Sequence, residues 1–297
     1  MNTGFTGILS VFAAAAAWGM SGIFVTNIID ASQCSSVSLA FWRDLASFVL
    51  LFILFLPSLF RQTLDIRMQD LPCLMGMGGF LGLFHIFYNK SVMLNGASIT
   101  TVDQAAMPAV VSLAAWYLWK ESLDFEKIAA MVLIFAGTVM ASGLHSFDFG
   151  KADASGLMAG FCVPVLYAGW TLCGKTMVNR YGPNFCLMIA FGTAAFLLFF
   201  LQPFTAQPVH ISLRTIMLFS GLIVFSTIGA FTLYMVGLQY IQAGVAGILA
   251  MSEIIFAGVY ARFLLGEHLD MIQICGAGLV ITGVVGLSYF QAKKQKS

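Results

Sequence analysis

Several ionisable side chains stand inside long apolar stretches of this 297-residue sequence. The most isolated of them are Arg43, His85, Asp103 and Glu253. A charge surrounded by apolar groups is costly unless it is paired or hydrated, so such residues are usually kept for a function. An arginine or a histidine can hold a carboxylate, and a carboxylate can hold an ammonium group or a proton. The pattern therefore favours recognition of a small charged or polar molecule.

Helical spacing adds polar and aromatic neighbours to these charges. His85, Tyr88 and Asn89 are separated by three and four positions, so they share one face of a helix. Glu253 and Phe256 are related in the same way. The candidate substrate-binding residues are Trp18, Arg43, His85, Tyr88, Asn89, Asp103, Gln104, Tyr234, Glu253, Phe256 and Tyr260.

Each charge also has a structural explanation, which the sequence leaves open. Arg43 can pair with the carboxylate beside it or hold a substrate, and His85 can be a packing residue or line a cavity. Lys90 lies near a helix end and can extend to the membrane surface. The carboxylates of Asp103 and Glu253 are too short to do so, which makes them the stronger candidates.

The composition identifies the elements that must position these residues. Of the chain, 60% is hydrophobic and only 9% is charged, and the mean hydropathy is +0.92. A soluble domain carries about a quarter of charged residues. A soluble enzyme, a disordered chain and a nucleic-acid binder are therefore disfavoured, the last also because the net charge is only +1. The sequence predicts an integral, all-α membrane protein.

Ten apolar runs are long enough to cross a bilayer as helices of roughly 20 residues. Because the runs are continuous rather than alternating, a β-barrel is excluded, and the first run is predicted to be an uncleaved helix. The runs cover residues 7–29, 37–58, 71–93, 97–119, 125–144, 154–176, 184–204, 213–237, 243–265 and 269–290.

The lysines and arginines in the loops and near the ends of the runs predict the orientation, since cytoplasmic loops are enriched in them. With a cytoplasmic N-terminus, nine fall inside and three outside, so both termini are expected in the cytoplasm of a plasma-membrane protein (the inner membrane, in a bacterium). The inner set is Arg61, Arg67, Lys120, Lys127, Lys175, Arg180, Lys293, Lys294 and Lys296, and the outer set is Lys151, Arg214 and Arg262.

An internal repeat divides the chain into residues 1–144 and 154–297, joined by a loop at 145–153. A shift of 146 positions aligns Glu121 with Glu267 within two copies of Glu-x-Leu-Asp, and Tyr88 with Tyr234. A shift of 149 places Trp18 opposite Tyr167. Five runs in each half predict that the second half is inverted in the membrane, which is a recurring architecture of secondary transporters.

The sequence resembles the EamA-type permeases of the drug/metabolite transporter superfamily over nearly its whole length. The resemblance rests on Trp18-Gly-Met-Ser-Gly, Arg43, Pro108, Glu121, and the segment from Gly266-Glu-His-Leu-Asp to Gly283. It implies ten helices around a cavity lined by helices three, four, eight and nine with parts of one and six. It also implies transport of small metabolites without ATP hydrolysis. Two departures concern the substrate: Ile254 replaces the proline that often follows Glu253, and Asp103-Gln104 stands where relatives are apolar.

The segment Gly169-Trp-Thr-Leu-Cys-Gly-Lys175-Thr fits the phosphate-binding loop pattern, but it completes an apolar helix. A phosphate-binding loop needs free backbone amides between a strand and a helix, so an ATP site is rejected here and Lys175 is interpreted as a cytoplasmic anchor. The six cysteines and four histidines show no metal-binding spacing, and no cofactor is expected.

These observations predict a secondary transporter that moves a small polar or zwitterionic metabolite, with an amino acid or derivative as the leading hypothesis. Arg43 with Lys90 or His85 would hold a carboxylate, and Asp103 and Glu253 an ammonium group. One alternative is an organic cation, such as a quaternary amine, in a pocket formed by Trp18, Trp42 and Trp170. Alternatives of another class are an intramembrane enzyme and a channel. The expected partners are the substrate and the lipid bilayer, while proton coupling and the oligomeric state stay open and a monomer is compatible.

Overall fold

The computed structural model describes residues 3–59, 66–146, 152–202, 210–264, 266 and 268–294. These residues form helices joined by short turns, and no strand is present among them. The expected all-α class is therefore confirmed. Some residues on which the sequence analysis rests lie outside the described residues, namely Arg61, Lys151, Glu267 and Lys296.

Thirteen α-helices carry the described part of the chain. A short 3-10 turn at Met68–Asp70 precedes the fourth helix, and another at Leu144–Ser146 follows the sixth. A π-helix at Leu222–Gly229 joins the ninth helix to the tenth. The helices are α1 Thr3–Trp18, α2 Ser21–Ser32, α3 Ser36–Leu59, α4 Leu71–Gln104, α5 Met107–Trp119, α6 Phe125–Ala141, α7 Ala154–Tyr181, α8 Pro183–Leu201, α9 Leu213–Gly221, α10 Ala230–Tyr240, α11 Ala243–Ala250, α12 Glu253–Leu264 and α13 Met271–Lys294.

Eight helical stretches within the described residues are long and apolar enough to cross a membrane. The remaining two of the ten expected runs do not reach this length: run 97–119 is divided between the end of α4 and α5, and run 125–144 forms the 17-residue α6. The expected count of ten is therefore not confirmed. The eight stretches are Gly4–Ser32, Ser36–Leu56, Met68–Gly96, Ala154–Tyr181, Pro183–Leu201, Leu213–Tyr240, Ala243–Leu264 and Met271–Gln291.

Three of the long apolar runs are interrupted, a feature that hydropathy does not reveal. Two residues each separate α1 from α2, α4 from α5 and α11 from α12. A further kink in α4 lies at Gly96, whose φ of +81° is easily adopted only by glycine. Pro108 lies in the first turn of α5, where its missing N–H costs no helical hydrogen bond, rather than at a mid-helix kink.

Glycines allow the closest helix contacts, as expected where lipid supplies no hydrophobic drive between helices. A methyl group built on Gly137 of α6 would lie 2.7 Å from the carbonyl oxygen of Gly276 on α13. One built on Gly78 of α4 would lie 2.6 Å from the carbonyl oxygen of Ala190 on α8. In both pairs the two backbones touch directly.

Hydrogen bonds join the ends of α4 and α7 at two places in the molecule. At one end Arg180 Nη1 donates to Asp70 Oδ2 (2.6 Å), which joins the end of α7 to the start of α4. At the other end Asn95 Nδ2 donates to the carbonyl oxygen of Asp153 (3.0 Å) before α7 begins. Asp153 also accepts from Ser155 and from the Gly156 amide, and these bonds hold the pKa of its carboxyl group below the ordinary value.

The glycine contact between α6 and α13 gives a stability test. Gly276→Ala should lower the melting temperature in detergent, because its methyl group meets the Gly137 carbonyl oxygen at 2.6 Å. Overpacking of this kind costs about 1–3 kcal/mol. Gly278→Ala on the same helix is the matched control: its methyl group has open space, and alanine favours the helix by about 1 kcal/mol. Equal melting temperatures for the two variants would contradict this packing.

Candidate functional site

Seven helices meet around one small cavity inside the molecule. Its free volume is about 20 Å³, which accommodates about one water molecule. The cavity therefore has no room for a metabolite. The lining residues are Trp18 of α1, Ser21 of α2, Arg43 of α3, Phe84, Tyr88 and Gln104 of α4, Tyr167 of α7, Phe231 of α10 and Glu253 of α12.

All three helix interruptions border this cavity. Trp18 and Ser21 flank the first, Gln104 precedes the second, and Glu253 follows the third. Irregular backbone at membrane depth is tolerated only where protein or a wet cavity satisfies its polar groups. The interruptions therefore position the cavity side chains and are covered by the surrounding helices.

Glu253 is the acidic group on the cavity wall. Its Oε2 accepts a hydrogen bond from Gln104 Nε2 (3.2 Å), which joins the start of α12 to the end of α4. Within the described residues no lysine, arginine or histidine nitrogen lies within 4.0 Å of this carboxylate. The Glu253 carbonyl oxygen lies against Gly19, which lets α1 approach α12 closely. The Glu253 carboxylate therefore has the side-chain amide of Gln104 as its hydrogen-bond partner and borders the cavity.

Arg43 supplies the opposite charge and is only 2% exposed. Its Nε donates to Thr227 Oγ1 (3.1 Å), and this hydroxyl donates in turn to the carbonyl oxygen of Leu222 (2.9 Å). Both partners belong to the π-helix, whose wider turn brings positions five apart into hydrogen-bonding distance. The bond uses Nε alone, so the two terminal amino groups of Arg43 are left for the cavity that the side chain lines.

Aromatic rings form most of the remaining wall. Trp18 lies 5.1 Å from Phe231 and 6.2 Å from Tyr167 between ring centroids, both in edge-to-face geometry. Tyr88 stacks on Phe84 at 5.8 Å. Such contacts stabilise ring pairs by about 0.5–1.5 kcal/mol beyond burial, and these rings form the apolar part of the cavity wall.

Trp18, Arg43, Tyr88, Gln104 and Glu253 are the sequence-predicted candidates that the structure brings to the cavity. The other candidates lie elsewhere. Tyr234 packs against the aromatic rings behind the cavity, and its ring centroid lies 5.2 Å from that of Trp18.

His85 does not line the cavity but is fully buried behind it. Its Nδ1 lies 2.6 Å from Asp44 Oδ1, and both side chains are 0% exposed. The Phe231 ring separates the histidine from the cavity, at 5.9 Å between centroids. The placement of His85 among residues that contact substrate is therefore corrected: the adjacent Asp44, and not Arg43, is its partner.

Asp103 also lies outside the cavity lining. It faces α7, where its carboxylate contacts Gly160, beside Ser91. The residue turns away because it is one position, or about 100° of helix, from Gln104. The pairing of Asp103 with Glu253 around an ammonium group is thus not supported by the geometry.

The remaining candidates also serve contacts between helices. Asn89 Nδ2 donates to the carbonyl oxygen of Ser36 (3.2 Å). Tyr260 OH donates to the carbonyl oxygen of Ala16 (3.1 Å), and Phe256 stacks on Tyr260 at 6.5 Å. Lys90 is not among the lining residues, so Arg43 is the cation of the cavity wall.

Ser21, Phe84, Tyr167 and Phe231 line the cavity although the sequence analysis did not select them. The internal repeat carried a signal for two of them. Tyr167 is the counterpart of Trp18, and the shift of 146 positions places Phe231 opposite His85. Arg43 adds the second apolar run to the wall, which the family resemblance did not include.

The side chains of Trp42, Trp170 and Lys175 lie in other surroundings than the sequence analysis predicts. Trp42 is 51% exposed on the outer surface, and Trp170 is buried against Tyr234, so the three-tryptophan pocket is wrong. The segment around Lys175 is helical, as expected. Its Nζ does not extend to the surface as an anchor but donates to the carbonyl oxygens of Leu238 (2.6 Å) and Ile241 (2.7 Å).

The chain is similar in sequence to proteins that are named transporters. The riboflavin transporter ImpX of Fusobacterium nucleatum is 25% identical over 97% of this chain and 99% of its own length. The uncharacterized transporter YcbK of Bacillus subtilis is 26% identical, and the match spans 58% of this chain and 57% of that protein. A solved crystal structure at 17% identity superposes with a TM-score of 0.71 over 99% of this chain and 98% of that chain, which shows the fold alone.

The model of the EamA-like transporter family matches the chain twice, over residues 5–143 and 154–289. The two matches together cover nearly all of the sequence. The chain therefore belongs to the EamA-like transporter family and is a multi-pass membrane transporter.

Proposed function

We propose that this protein is a secondary transporter of the plasma membrane that moves a small zwitterionic metabolite, an amino acid or a derivative, by alternating access. The observation that carries the proposal is the pair of opposite charges in one cavity, Arg43 and Glu253. They come from different halves of the chain, and no ion pair within 4.0 Å joins them in the described residues.

The geometry of the two charges suits a ligand that carries both signs. The terminal amino groups of Arg43 can bind a carboxylate in the two-pronged manner that guanidinium favours. Glu253, oriented by Gln104, can accept hydrogen bonds from an ammonium group. A zwitterion would neutralise both charges of the cavity wall at once, whereas a ligand of one sign would leave the other uncompensated.

The small volume of the cavity supports a transport cycle with more than one conformation. A volume of about 20 Å³ holds no metabolite, so helices must separate before a substrate enters. The interruptions beside Trp18, Gln104 and Glu253 are places where short helical segments can move relative to each other. Binding energy that is stronger in one conformation would drive the exchange.

We also propose ten membrane-crossing helices in two inverted halves, with both termini cytoplasmic, and three observations support the twofold repeat in this arrangement. The family model matches twice, at 5–143 and 154–289. The interruption between α4 and α5 falls 146 positions before that between α11 and α12. Helix contacts are also related by exchange of the halves: α4 packs on α7 as α10 packs on α1, and α5 on α7 as α11 on α1.

This topology has a direct test. Ser122→Cys in the α5–α6 loop should react with a membrane-impermeant thiol reagent only in inside-out vesicles. His268→Cys before α13 should react only in intact cells, because inversion places its loop on the outer face. The parent chain measures the background from the six native cysteines. Reaction of both positions from the same side would exclude the inverted arrangement.

Glu253 provides the test of the substrate hypothesis. The purified protein is heated with single probes: each of the common amino acids, choline, and riboflavin, which the name of a relative suggests. A ligand that binds the folded state raises the melting temperature. We expect at least one zwitterionic amino acid to do so, and Glu253→Gln to weaken its binding at least about tenfold, or 1.4 kcal/mol.

Glu126→Gln, in the first turn of α6 and not among the cavity-lining residues, is the matched control and should bind as the parent does. If Glu253→Gln binds its probe normally, Glu253 does not contact the substrate. If no amino acid raises the melting temperature of the parent, the zwitterion hypothesis fails.

If a proton is cotransported, Glu253 is the carboxyl group on the cavity wall that would carry it, and the glutamine variant would transport without pH dependence.

The aromatic wall favours a second candidate, an organic cation such as a quaternary amine. Trp18, Tyr167 and Phe231 surround the cavity with Glu253, and ring faces attract cations. Arg43 opposes this candidate because it would repel the ligand.

Choline separates the two candidates. An organic-cation transporter should be stabilised by choline but not by zwitterionic amino acids, and Trp18→Ala should weaken choline binding at least about tenfold. Trp42→Ala, on the outer surface, is the control and should leave it unchanged. Stabilisation by amino acids alone would rule out this candidate.

A further inference from the structure

Three charged side chains hold the turn between α10 and α11, residues 241–242, at the molecular end where α5, α7 and α10 finish. Lys175 of α7 donates from Nζ to the carbonyl oxygens of Leu238 and Ile241, at 2.6 and 2.7 Å. These carbonyls belong to the last turn of α10 and to the residue after it. A cation at this position satisfies helix-terminal carbonyls and opposes the negative end of the helix dipole.

Lys127 and Glu121 hold the same turn from the other side. Lys127 is 1% exposed, and its Nζ donates to Gln242 Oε1 and to the carbonyl oxygen of Ser122, both at 2.7 Å. Glu121 accepts from the backbone amides of Ala243 (3.1 Å) and Gly244 (3.3 Å). The carboxylate thereby lies at the positive end of α11. Glu121, Lys127 and Lys175 are called the charged cluster below.

Two members of the charged cluster connect the two halves of the chain, which must separate if the cavity opens at this end, and Lys175 joins α7 to the end of α10 within the second half. Glu121 and Lys127 belong to the first half, whereas the turn belongs to the second half. All three side chains bond to the turn or to the helix ends that flank it, so loss of these bonds would release the turn. Charged hydrogen bonds with little exposure are strong when formed, and they favour one discrete arrangement.

Movement of the turn would be transmitted directly to the cavity. Every residue of α11 is buried, and the helix is only eight residues or about 12 Å long. After its last residue, Ala250, two residues lead to Glu253 on the cavity wall. A displacement of α11 along or across its axis therefore changes the position of the Glu253 carboxylate.

The two lysines are not repeated in the other half of the chain, whereas Glu121 has its counterpart in Glu267. The shift of 146 positions pairs Lys127 with Gln273, and that of 149 pairs Lys175 with Thr26. Gln273 forms hydrogen bonds with Asp270 in its own turn. Its side-chain Oε1 accepts from the backbone amide of Asp270 (3.0 Å), and its backbone amide donates to Asp270 Oδ1 (2.8 Å). The lysines that bridge separate helices are thus a property of one end.

From these contacts we infer that Glu121, Lys127 and Lys175 form the gate of the transporter at this end. Their bonds to the α10–α11 turn keep the cavity closed there, and their release opens it to the side on which the chain termini lie. The gate rests on the proposed alternating-access function but not on the identity of the substrate. A gate of this kind sets the ratio of closed to open molecules, so a weakened gate shifts the population before any ligand is present.

Cysteine accessibility measures this shift without a substrate. Ser21→Cys places a thiol of similar size on the cavity wall, where the parent side chain is 6% exposed. Its reaction with a charged methanethiosulfonate reagent is followed in inside-out vesicles and in intact cells, and the chain without Ser21→Cys gives the background of native cysteines.

Two substitutions are made in the Ser21→Cys chain: Lys127→Gln, which introduces the residue type of its repeat counterpart Gln273, and Lys175→Gln. We expect each to raise the reaction rate in inside-out vesicles at least about threefold. The rate in intact cells should not rise. Lys120→Gln is the matched control: it removes a charge from the same loop, but Lys120 is exposed and lies over the rings of Trp116 and Tyr117. It should leave both rates unchanged.

The gate is overturned if both lysine variants react at the parent rate, even when their melting temperatures fall, because the bonds would then be merely structural. Equal acceleration from both sides overturns it too, since this indicates general loosening. Where one variant fails to reach the membrane, the other decides. A rise confined to the vesicles supports the gate even if no amino acid binds, which separates this outcome from a failure of the substrate hypothesis.

Discussion

The constraint on which the rest of the structure depends is the absence of water from the bilayer core. Backbone amides and carbonyls there must find partners within the protein, so the chain crosses as helices, and any interruption must be covered. The interruptions beside Trp18, Gln104 and Glu253 obey this rule by meeting around one cavity. The cavity is therefore the place where the fold can accommodate both irregular backbone and charge.

The same constraint explains how the charged side chains are distributed. Arg43 is held by Thr227 from the π-helix, and Glu253 by the amide of Gln104. Asp44 Oδ1 and His85 Nδ1 pair in full burial, near Phe231 of the cavity wall, while Asp44 Oδ2 and His85 Nε2 have no partner among the described residues. Among the residues that line the cavity, Arg43 and Glu253 are the charged ones.

Much of the fold could be predicted because helix formation in a membrane depends on local features. Length and hydropathy placed the start of α4 at residue 71, of α6 at 125 and of α7 at 154, as the structure has them. Gly96 and the interruption after Gln104 were not predictable in this way. Their neighbours remain apolar, and hydropathy reports burial but not backbone dihedral angles.

The candidate site was predictable in part, for a related reason. Helical periodicity identifies residues that share a face, and so it grouped His85, Tyr88 and Asn89 correctly on one helix. It cannot tell which neighbour that face meets. Tyr88 therefore reaches the cavity while His85, one turn earlier, meets Asp44 and Phe231. The repeat held further information, since Tyr167 on the wall is the counterpart of Trp18.

The sequence by itself determined the class of the protein, because 60% hydrophobic residues and long uncharged runs admit only helices in a membrane. It also determined the duplication, because Glu-x-Leu-Asp recurs at one fixed distance. Only the tertiary structure decided that Glu253 faces Arg43 across aromatic rings, that Asp103 turns towards Gly160, and that Lys175 bonds to the end of α10. These outcomes depend on how separate helices pack, and a packing choice between distant segments leaves no periodic trace in either of them.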